Sequence, residues 1–470
     1  MVNYGFVIDN RKCIGCHACT VACKSEHDVP IGVNRTHVKY IEKGTYPDVT
    51  REFSVHRCNH CEDSPCTTIC PTTALFTRED GIVDFDDDRC IGCKSCMQAC
   101  PYDALYIDPN KGTAAKCNYC AHRIEHSYEP SCVVVCPVEA IISGDLDDPN
   151  SSISGYLTEH ETTVRKPESG AKPNVFYVET SEDSLDPHAT ERSGEYLWTD
   201  QAAGVGHFAK YADKRAGAAD TQSMIIQLAL EKKARAAAPR DQAIIRDVMS
   251  KLDEESGKPK RSYDQPSKGV LWGWEVSAYI MTKAIASGTY LVAMAMMLSG
   301  MLEMTDGMWW QLVIGCTAFL GITGVLLVMD LDRPERFLYV MLRPNWDSWL
   351  VKGAYILAGF GGILACSGAV LLFDMNRVYL EYLAYAGIPL AVLTGVYTAW
   401  LLGQARGRSW SEDKFLTAKM LIEMLIAGAA GLILLASPGI LATVIAVVML
   451  VVVAKHAHDT VIKPQLETLH

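Results

Sequence analysis

Histidine is almost missing from the second half of this 470-residue chain. Of 13 histidines, only His456, His458 and His470 lie beyond residue 270, all at the extreme C-terminal end. Cysteine is nearly as scarce past residue 136, where Cys316 and Cys366 are the last two of 18. Positive charge is short as well, with 43 Lys and Arg against 55 Asp and Glu. Each shortage excludes something. An acidic chain lacks the basic surface that releases counterions from a phosphate backbone, so nucleic acid is excluded as a partner. Haem bound between helices needs axial ligands, usually His, within those helices, so the second half is expected to hold no haem. The first residues carry neither an apolar run nor twin arginines. No export signal is therefore expected, and the disulfide scaffold of a small secreted domain goes with it.

Cysteine is concentrated instead. Sixteen of the 18 lie between residues 13 and 136, in four groups of four. They are CIGCHACTVAC (13–23), CNHCEDSPCTTIC (58–70), CIGCKSCMQAC (90–100), and a wider group running from CNYC (117–120) to CVVVC (132–136). Cys-x2-Cys-x2-Cys-x3-Cys is the spacing that holds [4Fe–4S] clusters in two-cluster ferredoxins. Three cysteines on one tight loop reach three iron corners, while the fourth, followed by Pro, points to the partner cluster. Pro71, Pro101 and Pro137 follow three of the fourth cysteines; Lys24 follows Cys23, a departure from the pattern. Zinc also binds Cys-x2-Cys pairs, but four groups of four sharing the final spacing favour iron–sulfur chemistry. No group lacks a cysteine, so four [4Fe–4S] clusters and no three-iron centre are expected. Their thiolates require loading in a reducing compartment.

Groups two and three are separated only by residues 71–89, a normal spacing within one ferredoxin unit, leaving groups one and four to close over them. That nesting assigns Cys13, Cys16, Cys19 and Cys136 to one cluster and Cys117, Cys120, Cys132 and Cys23 to its partner. Cys58, Cys61, Cys66 and Cys100 hold the third; Cys90, Cys93, Cys96 and Cys70 hold the fourth. Spacing equally allows pairing one with two and three with four.

A mean hydropathy near zero conceals two unlike halves. Residues 271–470 carry 12 basic and 14 acidic residues, leaving 31 and 41 of the chain's 43 and 55 to the rest. The expected architecture is an α+β double ferredoxin-like iron–sulfur domain (1–180), a polar linker (181–270) and an all-α polytopic membrane helix bundle (271–470). Within the linker, TQSMIIQLALEKKARAAA and DQAIIRDVMSKLDEE have helical spacing of apolar residues and read as short amphipathic helices. His160, His188 and His207 have no metal-type spacing and read as surface residues.

Six apolar segments, about 276–302, 308–329, 349–373, 378–402, 415–436 and 439–455, read as spanning helices, which need about 20 residues. The last is short, and SPG at 437–439 reads as the turn before it. Twelve basic residues, from Lys258, Lys260, Arg261 and Lys268 to Lys455 and Lys463, fall on one side of this layout. The opposite loops offer only Arg377. The excess of basic residues marks the cytoplasmic side, so an integral protein of the cytoplasmic membrane is expected, with its cluster domain and both termini in the cytoplasm. Ionisable residues within the spans, Glu275, Lys283, Glu381 and Glu423, are costly and hence candidate sites. Snorkelling competes as a reading for Lys283, and an interhelical ion pair for Glu423. Cys316 and Cys366 read as small core residues.

KCNYCAHRIEHSYEPSCVVVCP, GDLDDPNSSISGYL and KPNVFYVE, with the order of the groups, resemble the four-cluster subunit of the dimethyl sulfoxide reductase family across residues 1–180. The resemblance supports the nested pairing. It implies electron transfer between a molybdenum- or tungsten-pterin catalytic subunit and a membrane partner. DLDRPERFLYVMLRPNWDSWL, WGWEVSAYIMTKAIASGTYLVA and VYTAWLLG resemble the polysulfide reductase membrane subunit (NrfD-like) family, whose members are quinone-reactive and haem-free. The resemblance implies a site for membrane quinone, menaquinone or ubiquinone, among the first four helices. Glu275, Tyr279, Lys283, Asp330, Arg333 and Tyr397 are the candidates there. Asp330 and Arg333 could instead pair or cap the loop that Pro334 opens. The family usually has eight or more helices, so a shortened second half puts proton pumping in doubt. Competing readings are a hydrogenase or heterodisulfide-reductase-like partner, and a non-redox ion-translocating anchor.

Overall fold

The computed structural model describes residues 2–45, 48–186, 190–192, 258–265, 268–436 and 440–466. Its N-terminal part is built on two four-stranded sheets. In the first, β1 (Tyr4–Asp9) lies between β8 (Ile141–Asp145), antiparallel to it, and β10 (Val175–Val178), parallel to it, with β9 (Thr162–Thr163) at the edge. Alternate apolar residues Phe6 and Ile8 of β1 pack with Val175 and Tyr177 of β10 and with Tyr119 in a closed core. The second sheet has a long hairpin, β2 (His37–Thr45) and β3 (Asp48–His56). Two ribbons, β4 (Leu75–Thr77) with β5 (Val83–Phe85) and β6 (Tyr106–Ile107) with β7 (Ala114–Ala115), complete the inner unit.

Four short helices carry the cysteine groups: α1 (Ala18–Glu26), α2 (Pro65–Ile69), α3 (Ser95–Ala99) and α4 (Ser131–Val134). Three residues between the last two cysteines of a group amount to about one helical turn, so α2 and α3 set their fourth cysteines at their C-caps and α4 sets Cys136 just beyond its end, whereas α1 runs three residues past Cys23. The preceding loops bend through left-handed backbone. Gly15 (φ +67°) and Gly92 (φ +69°) sit in two of them, where an added Cβ would lie 2.3 Å from Phe53 and 2.7 Å from Asp332.

The stretch read as a linker is tied down at both ends. β11 (Glu191–Arg192) and β12 (Lys260–Tyr263) pair in parallel, and β12 extends the hairpin sheet alongside β2. Buried Asp264 fixes this return with Lys39 at 3.0 Å and Arg261 at 2.8 Å. Short polar strands of this kind leave no periodic apolar signal, which is why the sequence places both in the polar linker. The expected helices over 221–238 and 241–255, His188, His207 and the turn at 437–439 lie outside the described residues.

Among the described residues six long apolar helices follow: α5 (Trp274–Leu298), α6 (Asp306–Met329), α7 (Trp349–Leu372), α8 (Val378–Gly403), α9 (Leu416–Ala436) and α10 (Ile440–Leu466). Five match the expected spans within a few residues. The sixth is longer than expected. Lys455, His456, His458 and Asp459 end the apolar run but not the helix. Helix α5 is the axis of the bundle, with 61% of its apolar stretch buried against 17% for α10. It meets α9 backbone to backbone. A Cβ on Gly288 would lie 2.0 Å from the Met424 carbonyl, and one on Gly428 would lie 2.2 Å from Gly288. Small residues permit this approach in an apolar medium. Cys316 is buried in the core as expected, whereas Cys366 is exposed on α7.

The iron–sulfur half sits on one end of this bundle, where α5, α7 and α9 begin and α6, α8 and α10 finish. Gln98 Nε2 donates to Gln465 Oε1 on α10 (2.6 Å), Arg408 donates to Gln98 (2.8 Å), and Ser348 donates to the Ile69 carbonyl (2.7 Å). At the opposite end Arg377 pairs with Asp306 at 3.0 Å.

Candidate metal centres and a boundary pocket

All 18 cysteines are free thiols, and the fold gathers sixteen of them into four mutually repelling sets. Burial, then Cys136 and Cys16, push the Cys13 thiol up. Burial pushes Cys19 to about 11 against the opposing Arg57, with Cys132 and Cys13 adding to the rise. Cys23 is pushed to about 12 by burial, then by Cys132 and Cys120. Burial raises Cys61 and Cys66, and both feel Cys58 and Cys100. Burial raises Cys90, Cys93 and Cys96, each of which feels Cys70. The sets brought together are 13/16/19/136, 23/117/120/132, 58/61/66/100 and 70/90/93/96. They form a row: Cys19 feels Cys132, Cys117 feels Cys58, and Cys96 feels Cys66.

The surroundings fit iron–sulfur clusters. A void is walled by Cys70, Cys90, Cys93 and Cys96 together. Among the described residues no three His, Cys, Asp or Glu side chains converge as a single metal ion would need. Arg57 Nη1 donates to Cys132 Sγ at 3.2 Å, and backbone N–H groups of Ala114 and Ala140 donate to Cys90 and Cys136 at 3.3 and 3.2 Å. Further buried donors beside these sets, Arg57 Nε and Nη2 and Asn59 Nδ2, have no partner among the described residues. A group rich in sulfur acceptors would satisfy them. Arg57 and Lys116 are fully buried cations, which an anionic cluster beside them would compensate.

A cavity of about 290 Å³ opens where the last set meets the bundle. Cys93 and Ser95 form its cluster-side wall; Trp272, Tyr279, Asp330 and Tyr397 supply the polar groups of the bundle side, and Leu, Val and Met side chains the rest. Trp272 Nε1 donates to the Cys93 carbonyl at 3.1 Å, locking the two halves at this wall. Burial raises the Asp330 carboxyl to about 7; Lys94 opposes the shift, and Glu275 and Asp332 add to it. Lys94 Nζ donates to the Asp330 backbone carbonyl at 3.1 Å and lies 3.3 Å from the Asp332 carboxylate.

Of the six quinone-site candidates, Tyr279, Asp330 and Tyr397 line this cavity and three do not. Glu275 is half-buried on the first turn of α5. Arg333 donates to the Lys111 carbonyl at 2.5 Å and pairs with Glu335 at 3.2 Å, so it staples the halves together rather than pairing with Asp330. Lys283 is wholly buried, with its Nζ bonded to Thr398 Oγ1 and 4.2 Å from the Tyr397 ring centroid, so it does not snorkel. Glu423 is paired with His456 on α10. Trp272, Lys94 and His456 were missed. Trp272, two residues ahead of the Trp274 that starts α5, carries a usable signal as an interfacial aromatic; Lys94 reaches Asp330 and Asp332 only across the docked halves, which leaves no local signal in the sequence.

The family described as 4Fe-4S dicluster domain matches residues 49–146, and that described as polysulphide reductase, NrfD, matches residues 264–438. The putative dimethyl sulfoxide reductase iron–sulfur subunit of Halobacterium salinarum is 37% identical over 251 residues, covering 47% of this chain and 93% of that protein. The B component of tetrathionate reductase from Salmonella typhimurium is 45% identical over 179 residues, 37% of this chain and 72% of its own. The B component of polysulfide reductase from Wolinella succinogenes is 43% identical over 178 residues, 37% of this chain and 93% of its own.

Proposed function

This protein belongs to the family of reductase iron–sulfur subunits, joined here to an NrfD membrane domain, and from that premise we propose that it links a catalytic partner to membrane quinone. Four [4Fe–4S] clusters, when bound, supply one-electron carriers, with the nested cysteine sets as their ligands. The single observation that carries the quinone reading is the shared wall. Cys93, a ligand of the last cluster in this scheme, lines the same cavity as Tyr279, Asp330 and Tyr397. Electron and proton carriers are thereby adjacent. The phenols and the carboxyl can bind and protonate quinone oxygens, and the apolar wall excludes water from a ring held between them. Lys283 orients Tyr397 from behind.

The partner in this reading carries a molybdenum or tungsten pterin, as the dimethyl sulfoxide reductase likeness implies. Metal analysis of the intact complex tests it, since nickel would point to a hydrogenase instead. The cluster domain is assigned to the cytoplasmic side on the basic asymmetry of the loops. For the quinone site the test is Ala354→Trp, which fills the cavity from α7. Quinone-linked turnover should fall while dye-linked activity and iron content stay. Full quinone turnover in this variant would remove the site from the cavity.

A further inference from the structure

Behind the Tyr397 wall, ionisable side chains from three helices stand in a row. Lys283 on α5 is wholly buried. Glu423 on α9 is the charge that acts on it and is itself 8% exposed. The Glu423 Oε1 meets His456 Nδ1 on α10, and the His456 side chain is 50% exposed. Lys419, one turn before Glu423, also acts on the carboxylate but is held by Asp413. Counted from the docked helix ends at 1.5 Å per residue, Lys283, Glu423 and His456 lie at similar depths of roughly 10–15 Å. The row therefore runs across the bundle, from the cavity wall to its outer face.

Such a row is costly in an apolar medium, and buried polar groups there mark proton and ion pathways. It is not needed to hold α5 against α9, because the Gly288–Gly428 crossing already joins them. Lys283 bonds Thr398 and Glu423 bonds His456, while Glu423 is the charge that acts on Lys283, so the two are electrostatic neighbours without a direct bond.

We propose that His456 and Glu423 form a proton path joining the outer face of the bundle, on the side of the cluster domain, to Lys283 and Tyr397 at the cavity. The proposal rests on the quinone reading of that cavity. Each quinone reduced takes up two electrons, delivered through the cysteine-bound centres, and two protons from water; quinol oxidation runs both outward. The path moves protons only.

Glu423→Gln and His456→Gln in the complete complex test it, with a short-chain naphthoquinone as substrate. Quinone-linked kcat should fall by about a hundredfold, the lower end of the range for loss of a proton-transfer group, with KM and dye-linked activity unchanged. The solvent isotope effect on kcat should rise, and Glu423→Asp should recover part of the rate. His456 is half exposed, so its replacement leaves the core intact. Full kcat in both Gln variants, or equal loss of dye-linked activity, overturns the path. If the unaltered complex fails to bind the naphthoquinone, the cavity reading falls instead, and the path with it.

Discussion

Replacing Lys283 with Met should make the protein slower and no less stable. The ammonium lies over Tyr397 at 4.2 Å and bonds Thr398. A desolvated cation–π contact contributes about 2 kcal/mol, and a hydrogen bond from a charged group about 1.5–3 kcal/mol. Both act on side chains at or beside the cavity wall. If half of that sum serves to position Tyr397 in the transition state, at about 1.4 kcal/mol per decade, quinone-linked turnover falls roughly twenty- to sixtyfold. Stability moves the other way. A buried charge costs several kcal/mol of hydration, and Met offers similar length without it. Glu423 keeps His456 as its partner, so no isolated carboxylate is left. A gain of about 1–2 kcal/mol corresponds to roughly 2–8 °C in Tm for a bundle of this size. The assays are quinone-linked and dye-linked turnover of the intact complex and its thermal unfolding in lipid nanodiscs. Unchanged quinone turnover refutes the positioning role. A loss accompanied by lowered Tm and missing iron shows that Lys283 is structural.

Chemical iron and sulfide analysis of anaerobically prepared protein should give about sixteen iron atoms per chain; a reproducible value near twelve removes the fourth cluster. The Asp330 carboxyl, held near 7 chiefly by burial, is a donor only when protonated. Quinone-linked reduction should therefore be fastest below pH 7 and fall about tenfold per unit above it. Asp330→Asn should abolish that limb, and an identical limb in the variant would reassign it. A reporter fused after His470 should be active in the cytoplasm, and activity confined to the outside would place the cluster domain across the membrane.

The cysteine sets were legible because their chemistry is written in local spacing, one loop and one helical turn at a time. Their nesting depends on β1 pairing with β8, which sets Asp9 beside Ala140 and so group one beside group four, and spacing left two pairings open. Tyr279, Asp330 and Tyr397 are named by the sequence through family motifs and the levels of the helix ends. Their shared cavity depends on Cys93 arriving from another domain. His456 was set aside as tail because the apolar run stops near Lys455, although helix propensity does not. The basic loops illustrate a signal with two causes. Arg336 donates to the Cys90 carbonyl at 3.1 Å and Lys268 pairs with Asp103 at 2.8 Å. Part of the positive asymmetry therefore serves docking to an acidic domain.

The docking of the cluster domain on the helix ends beside the cavity has a consequence for energy conservation. On the proposed reading, electrons reach or leave the cavity from the end of the bundle that carries the cluster domain and protons enter from that same side, so each electron is accompanied by a proton from the same aqueous phase. A quinone site at the far ends of these helices would instead carry each charge through about 30 Å of hydrocarbon, a transfer worth about 2.3 kcal/mol per 100 mV of potential. If the cavity is the quinone site proposed above, the arrangement makes turnover electroneutral and indifferent to membrane voltage. It can fill or drain the quinone pool rapidly in an already energised membrane, and any voltage must be generated by the enzymes that return that pool to its starting state.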